Sequence, residues 1–170
     1  MHLNIAPNGV LQIDDARIVF RNFAGAATKF NRLGDRNFAV VIEDQETYDA
    51  LINEVNEHGV SWNIRVKPPR EEGELPFITL AVKVKFNDRG PNIYLTSGGR
   101  TIELNEDTIG MLDNIDIARI DLDIRPYDDV VSGKPFRAAY LLSMHVTQNV
   151  TDRFASRFRN EIEDDIPPFD

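Results

Sequence analysis

The stretch FITLAVKVKF, residues 77–86, alternates apolar and other side chains along its whole length. A period of two is typical of a β-strand with one face in the core. One face carries five side chains predicted to point inward: Ile78, Leu80, Val82, Val84 and Phe86. The opposite face carries Phe77, Thr79, Ala81, Lys83 and Lys85. This stretch therefore predicts a central strand that presents cations and an aromatic ring to solvent.

Shorter stretches around it have the same strand character. They are residues 16–20, 37–42, 62–67, 93–97, 101–104, 115–124 and 137–147. Residues 45–58 instead have the apolar spacing of a helix, which Gly59 ends. The pair Gly98-Gly99 predicts a tight hairpin turn, and the apolar parity changes across Ala118-Arg119, which predicts a bulge.

Many short strands, one helix and a bulge predict a mainly β fold. The pattern favours an OB-fold, which is a five-stranded Greek-key β-barrel, here slightly elaborated by two or three further strands. A β-sandwich is the alternative. The predicted folded domain is 1–151, and 152–170 is predicted to be a separate C-terminal segment that ends in a disordered acidic tail.

The composition excludes several classes of protein. Hydrophobic residues make up 42% of the 170 residues and charged residues 28%, which suits a packed core and not a disordered or fibrous chain. The absence of cysteine excludes disulfide frameworks, thiolate zinc sites and cysteine nucleophiles. Without an apolar run of bilayer length or a signal-peptide pattern, we expect a soluble protein of a reducing cytoplasm with no membrane partner.

The net charge of −9 is unevenly distributed. Residues 161–170 hold five of the 28 acidic side chains and no basic one, so residues 1–160 carry 23 acidic and 19 basic side chains, a net of −4. Residues 17–41 are basic, with five Lys or Arg against one Asp. The distribution predicts a mixed-charge body with basic stretches and an acidic end.

The outward side chains of the predicted strands combine cations with aromatic rings. They are Arg65, Lys67, Phe77, Lys83, Lys85 and Tyr94. Cations that follow a phosphate backbone and rings on which bases stack are what single-stranded nucleic acid requires. The alternative is that these cations only solubilise the sheet. Trp62 and Phe86 have core parity and are predicted to pack.

Residues 21–37, RNFAGAATKFNRLGDRN, predict a long binding loop between two strands. Its candidate nucleic-acid ligands are Arg21, Lys29, Phe30 and Arg36. The alternative is that Phe23 or Phe30 closes one end of the barrel as a packing residue.

The last ten residues, EIEDDIPPFD, cannot pack on their own, because the acidic side chains repel and two prolines prevent a helix or a central strand. Composition alone predicts a solvated tail. The order of residues instead predicts an apolar anchor preceded by negative charge, which suits a basic-rimmed pocket on another protein. The candidate protein-interaction residues are Asp164, Asp165, Ile166, Pro167 and Phe169.

These residues resemble the acidic tip Asp-Asp-Asp-Ile-Pro-Phe that ends bacterial single-stranded DNA-binding proteins. In that family the tip recruits replication, recombination and repair enzymes. The match departs in two ways, since Pro168 is inserted and Asp170 follows the phenylalanine.

The body resembles the OB-fold single-stranded DNA-binding proteins of bacteriophages, over roughly residues 17–170. The similarity lies in FAGAATKFNRLGDRNFAVVI (23–42), KVKFNDRGPNIYL (83–95) and RAAYLLSMHVT (137–147). It implies a domain that binds single-stranded DNA, largely without sequence preference, during phage replication or recombination in the bacterial host cytoplasm. The resemblance of the tip implies partner proteins bound through it. We also predict no catalysis and no cofactor. The oligomeric state stays open, with a homodimer as one option.

Two other classes of function remain open. An acidic protein-binding module, such as a DNA-mimicking inhibitor or a virion component, fits the net charge. An enzyme would have only His2, His58 and His145 as histidines, and no phosphate-binding loop, metal-ligand spacing or nucleophile motif is present. The carboxylate pairs Asp121/Asp123 and Asp128/Asp129 have the chemistry to hold magnesium, but alternating solvated strand positions and turn chemistry explain them more simply.

Overall fold

A computed structural model describes residues 1–150, and the structural statements below refer to that range. The predicted tip residues Asp164, Asp165, Ile166, Pro167 and Phe169 lie outside it. The described chain forms ten β-strands in one sheet, one α-helix and a short 3₁₀ helix, Ile109–Asp113. The strands are β1 His2–Ile5, β2 Leu11–Asp14, β3 Ile18–Asn22, β4 Arg36–Val41, β5 Ile64–Lys67, β6 Phe77–Val84, β7 Asn92–Ser97, β8 Arg100–Leu104, β9 Ile117–Val131 and β10 Lys134–Gln148, and the helix is α1 Gln45–Asn53.

The strands follow the order β1-β2-β9-β10-β6-β4-β3, with β5 paired to β6, β7 to β10 and β8 to β7. Strand β10 runs parallel to β6 and to β7, and the other pairs are antiparallel. The Ala16 N–H donates to the Ile120 carbonyl at 2.8 Å, which brings the segment before β3 next to β9. The path β3-β4-β6-β10-β9 therefore curls back on itself. The mainly β prediction is confirmed.

Strand β6 lies at the centre of the sheet and its inward side chains form part of the core. Leu80, Val82 and Val84 are buried, as their parity predicts. They join Ile93 and Leu95 of β7 and the inward residues of β2, β4, β9 and β10 in one cluster. The core thus holds β6 in place by one face, and on the other face Ala81 and Lys83 are exposed.

Two local predictions are confirmed by the register. Gly98 and Gly99, with φ of 59° and 83°, form the two-residue turn between β7 and β8. Positive φ at both positions favours glycine. Thr147 pairs with Arg119 and the next residue of β10 pairs with Ile117, so Ala118 is the extra residue of a bulge.

The structure also differs from the sequence prediction. The helix is shorter than 45–58: Asp44 caps its start by accepting from the Thr47 N–H at 2.7 Å, and it ends at Asn53. Alternation with the outward Arg65 and Lys67 predicts that Val66 points inward, but Val66 is 48% exposed, because β5 pairs only with β6 and lies outside the main path. Strands β1 and β2 had no counterpart in the prediction, and ten strands exceed the seven or eight expected. Among the described helices, none has the length and apolar character needed to cross a membrane.

Candidate nucleic-acid interface

The outward face of β6 gathers the predicted cations of two strands. Register pairs Arg65 of β5 with Thr79, and Lys67 with Phe77. Residues paired directly across antiparallel strands point to the same face. Side chains alternate along a strand, so Ala81 and Lys83 of β6 point to the same face as Thr79. Arg65, Lys67 and Lys83 are all exposed, so three cations border one strand.

A groove of about 780 Å³ crosses this face from β6 to the loop between β3 and β4. Small side chains, Ala39, Thr79 and Ala81, contribute to its lining. Arg65 and Lys83 also line the groove, together with Phe30 of the loop. Its floor is therefore shallow and mainly apolar, and cations stand at its border.

Phe20 adds an aromatic ring that sequence reasoning missed. Its side chain is 70% exposed, and its ring meets the Phe77 ring edge to face, with centroids 6.2 Å apart. The Phe20 backbone has a φ of 56°, which is unusual for a bulky residue. It falls in the irregular stretch of β3 where the pairing with β4 shifts register between Val19 and Asn22. The exposed Phe20 ring and the half-buried Phe77 ring form an aromatic pair at the edge of the groove.

A second aromatic cluster surrounds Tyr140 of β10. Register pairs Tyr140 with Lys83 of β6, and the Lys83 Nζ lies 6.0 Å from the centroid of the tyrosine ring. The Arg125 guanidinium lies 4.9 Å from the same centroid. The Tyr127 ring meets the Tyr140 ring nearly at right angles, 5.6 Å away, and Phe136 lies 6.4 Å from Tyr127.

The Tyr140 cluster extends the basic and aromatic face beyond β6. The Asp129 carboxylate accepts a hydrogen bond from the Tyr127 hydroxyl at 3.1 Å and raises the pKa of that hydroxyl. The alternation of residues 136, 138 and 140 in the sequence could have placed Tyr140 on an outward face, but only the register places it beside Lys83.

Arg21 and Arg36, both predicted as nucleic-acid ligands, bind the protein itself. The Arg21 Nη1 donates to the carbonyls of Leu112 and Ile115 at 2.9 and 2.8 Å. The Arg36 Nε donates to the Phe23 carbonyl at 2.9 Å, and its Nη2 to the Glu106 carbonyl at 3.2 Å. These contacts assign both arginines a part in anchoring the loop.

The Asp113 carboxylate completes this anchor. It accepts from the backbone N–H groups of Phe23 and Ala24 at 2.7 and 2.9 Å. Phe23 is fully buried and stacks on Phe38 with centroids 5.2 Å apart. Phe30 is 92% exposed, and the Lys29 Nζ lies 5.7 Å from its ring centroid. Phe23 is therefore the packing residue of the loop, and Lys29 and Phe30 are the ones free to meet a ligand.

The remaining two predicted residues lie away from the groove. Lys85 borders a separate cavity of about 430 Å³ with Arg89 and Arg125. Tyr94 is 41% exposed and pairs with His145 of β10. His145 follows Tyr140 by five residues, so Tyr94 lies roughly 16 Å along the strand from the Tyr140 cluster.

The carboxylate pairs considered for magnesium are held by protein groups. Asp128 accepts from Arg137 Nε and Nη2 at 2.8 and 3.1 Å, and these bonds lower the pKa of Asp128. Asp121 accepts from Arg119 and from the Asp15 N–H. Within residues 1–150, no group of three His, Cys, Asp or Glu side chains is placed to hold a metal ion.

Residues 4–166 match the family model described as "Putative phage ssDNA-binding domain". The chain belongs to this phage ssDNA-binding family. The family resemblance inferred from the sequence is confirmed. The match ends at Ile166, before Phe169, and the acidic tip stays a prediction.

Two solved structures have a similar fold. One is the single-stranded DNA-binding protein from bacteriophage Enc34, with a TM-score of 0.52 and 12% identity over 91% of this chain and 93% of that chain. The other is that phage protein in complex with ssDNA, with a TM-score of 0.50 and 11% identity over 86% of this chain and 90% of that chain. At these identities the likeness is one of fold alone. No curated protein matches the chain.

Proposed function

We propose that this member of the phage ssDNA-binding family binds single-stranded DNA along the outward face of β6, largely without sequence preference. One observation carries the proposal. Exposed Arg65, Lys67 and Lys83 share a face with the rings of Phe77 and, at its two ends, Phe20 and Tyr140. The cations attract the phosphates, and the rings provide stacking surfaces that accept any base.

The strand path supports an OB-type barrel as the scaffold. OB-folds bind oligonucleotides on the face of their second and third strands, between the loops that join strands 1 and 2 and strands 4 and 5. The path β3-β4-β6-β10-β9 contains five strands. In chain order, the second and third of these strands are β4 and β6. The corresponding loops are residues 23–35 and the Ser132-Gly133 turn. The groove lies on that face and borders the first of these loops.

The biological role follows from this activity. The protein would coat DNA strands exposed during phage replication or recombination in the host cytoplasm. The tip residues would bind partner proteins and not DNA, because their charge repels phosphate. Asp164 and Asp165 precede an apolar anchor of Ile166 and Phe169, which supports docking in a basic-rimmed pocket. We propose no catalytic activity and no cofactor.

Fluorescence anisotropy of a labelled oligo-dT of about thirty nucleotides tests the DNA-binding proposal against a duplex of the same length. We expect binding to the single strand that weakens as salt rises, since each neutralised phosphate contributes a slope of about −0.7 in log affinity against log salt. The net charge of −9 favours the second candidate, an acidic protein-binding module. Failure to bind either oligonucleotide at low salt would favour that module.

A further inference from the structure

A cavity of about 490 Å³ opens beside the groove, where β5 and β10 separate along the same side of β6. Strand β5 pairs with β6 as far as Ile64, which lies opposite Leu80. Strand β10 meets β6 at Tyr140, opposite Lys83. The two β6 residues between these points pair with β4 on their other side. We call the cavity at this separation the fork pocket.

The fork pocket exposes polar and apolar surface in nearly equal parts. Trp62, 3% exposed, and the half-buried Phe136 provide aromatic surface. Ala81 and Ala138 leave the space open, and Asn63 adds an amide at the rim. Such a volume and lining are typical of a pocket for a small, flat, partly polar group.

Trp62 also carries an unused hydrogen-bond donor. Its indole Nε1 is buried and has no acceptor within the described part of the chain. The Arg137 guanidinium lies 5.1 Å from the centroid of its ring. A buried donor without a partner is costly, and the carbonyl oxygens of nucleobases are acceptors of the matching kind.

The fork pocket is continuous with the DNA-binding groove. Ala81 and Lys83 line both cavities. A strand that lies in the groove with a phosphate beside Lys83 therefore brings the neighbouring base to the mouth of the fork pocket. This continuity identifies the occupant, because a base attached to a bound backbone is already held at the entrance.

We propose that the fork pocket takes one base of the bound single strand, turned out of the groove and placed against Trp62 and Phe136. The proposal rests on the proposed function and assigns a second subsite within it. The base leaves the stack on the β6 face, and Lys83 holds the phosphate at the point where the strand turns.

The fluorescence of Trp62, the single tryptophan of the chain, tests this directly. In the full chain titrated with oligo-dT, we expect the emission of Trp62 to change in step with the anisotropy of the labelled DNA. An oligonucleotide of equal length that lacks bases keeps the phosphates. We expect it to bind at low salt and to leave the emission unchanged.

Ala138→Leu fills the fork pocket, and Ala118→Leu is the matched control on an exposed position of β9. We expect Ala138→Leu to abolish the change of emission and to weaken binding at least about fivefold, which corresponds to the loss of one stacked base. Ala118→Leu should behave as the wild type. Thermal melting checks that both variants fold. If Ala138→Leu does not fold, Phe136→Ala takes its place as the pocket variant.

The outcomes separate the two proposals. DNA binding without a change in Trp62 emission, or a change that persists in Ala138→Leu, would overturn the fork pocket and leave the groove intact. An emission that varies with protein concentration in the absence of DNA would assign the pocket to a second copy of the chain and also overturn the proposal. No binding to oligo-dT at all would overturn the proposed function itself.

Discussion

The base of the 23–35 loop and the face shared by β5 and β6 both contain arginine, but they use it differently. At the loop base, Arg21 and Arg36 donate to backbone carbonyls, and Asp113 holds the backbone of Phe23. On the β6 face, Arg65 is exposed beside small side chains. The difference teaches that basic residues close together in the fold differ in how many of their donors the protein itself occupies.

The largest expected effect comes from the buried ring of the loop base. Phe23→Ala removes a fully buried side chain that stacks on Phe38, and we expect it to lower the free energy of unfolding by about 3–5 kcal/mol. Phe30→Ala in the same loop removes an exposed ring and should change that free energy by less than about 0.5 kcal/mol. Urea unfolding measures both. Equal effects would mean that the two rings do not have separate roles.

The carboxylate of the loop base gives the next effect. Asp113→Ala leaves the N–H groups of Phe23 and Ala24 without their acceptor, so we expect a loss of about 1–3 kcal/mol in the free energy of unfolding. Asp107→Ala, at an exposed position in the turn before the 3₁₀ helix, is the control. If the two variants unfold at the same urea concentration, Asp113 does not anchor the loop.

On the β6 face the effect should appear in binding and not in stability. Phe20→Ala removes an exposed ring, and we expect the affinity for oligo-dT to fall by about 1–3 kcal/mol with nearly unchanged unfolding. Leu33→Ala, an exposed apolar residue of the loop, should bind as the wild type does. Anisotropy titrations compare them, and an unchanged affinity of Phe20→Ala would remove this ring from the interface.

The smallest expected effect concerns Arg137, a third arginine that donates hydrogen bonds within the protein. Arg137 lowers the pKa of Asp128 below its ordinary 3.8, so the folded state holds this proton less tightly than the unfolded state. The contribution of the Asp128 carboxylate to the stability of the folded state is complete above about pH 3.8. It is lost as the pH falls through the lowered pKa. Urea unfolding at several acidic pH values should show a steeper loss in the wild type than in Asp128→Asn. Parallel curves would contradict this role of Asp128.

Alternation in the sequence predicts the core where a strand has neighbours on both sides. Leu80, Val82 and Val84 of β6 are buried as expected, and the change of parity at Ala118 correctly locates a bulge. The same rule fails at Val66, because β5 pairs on one side only and lies at an edge. Local pattern gives the direction of a side chain but not what covers it.

The candidate site depended more on contacts between distant parts of the chain. Arg21 meets Leu112 and Ile115, 91 and 94 positions away, and no local pattern indicates that its donors are occupied. Tyr140 reaches Lys83 only through the parallel pairing of β10 with β6. Phe20 points outward from an irregular stretch of β3 that alternation does not describe.

The most direct test of the β6 face is the salt dependence of oligo-dT binding in the double variant Arg65→Gln/Lys83→Gln. Arg100→Gln, an exposed arginine at the turn between β7 and β8, is the matched control. If both cations neutralise phosphates, the slope of log affinity against log salt should become shallower by about 1.4 in the double variant and stay unchanged in the control. A double variant with the slope of the wild type would contradict the placement of DNA on this face.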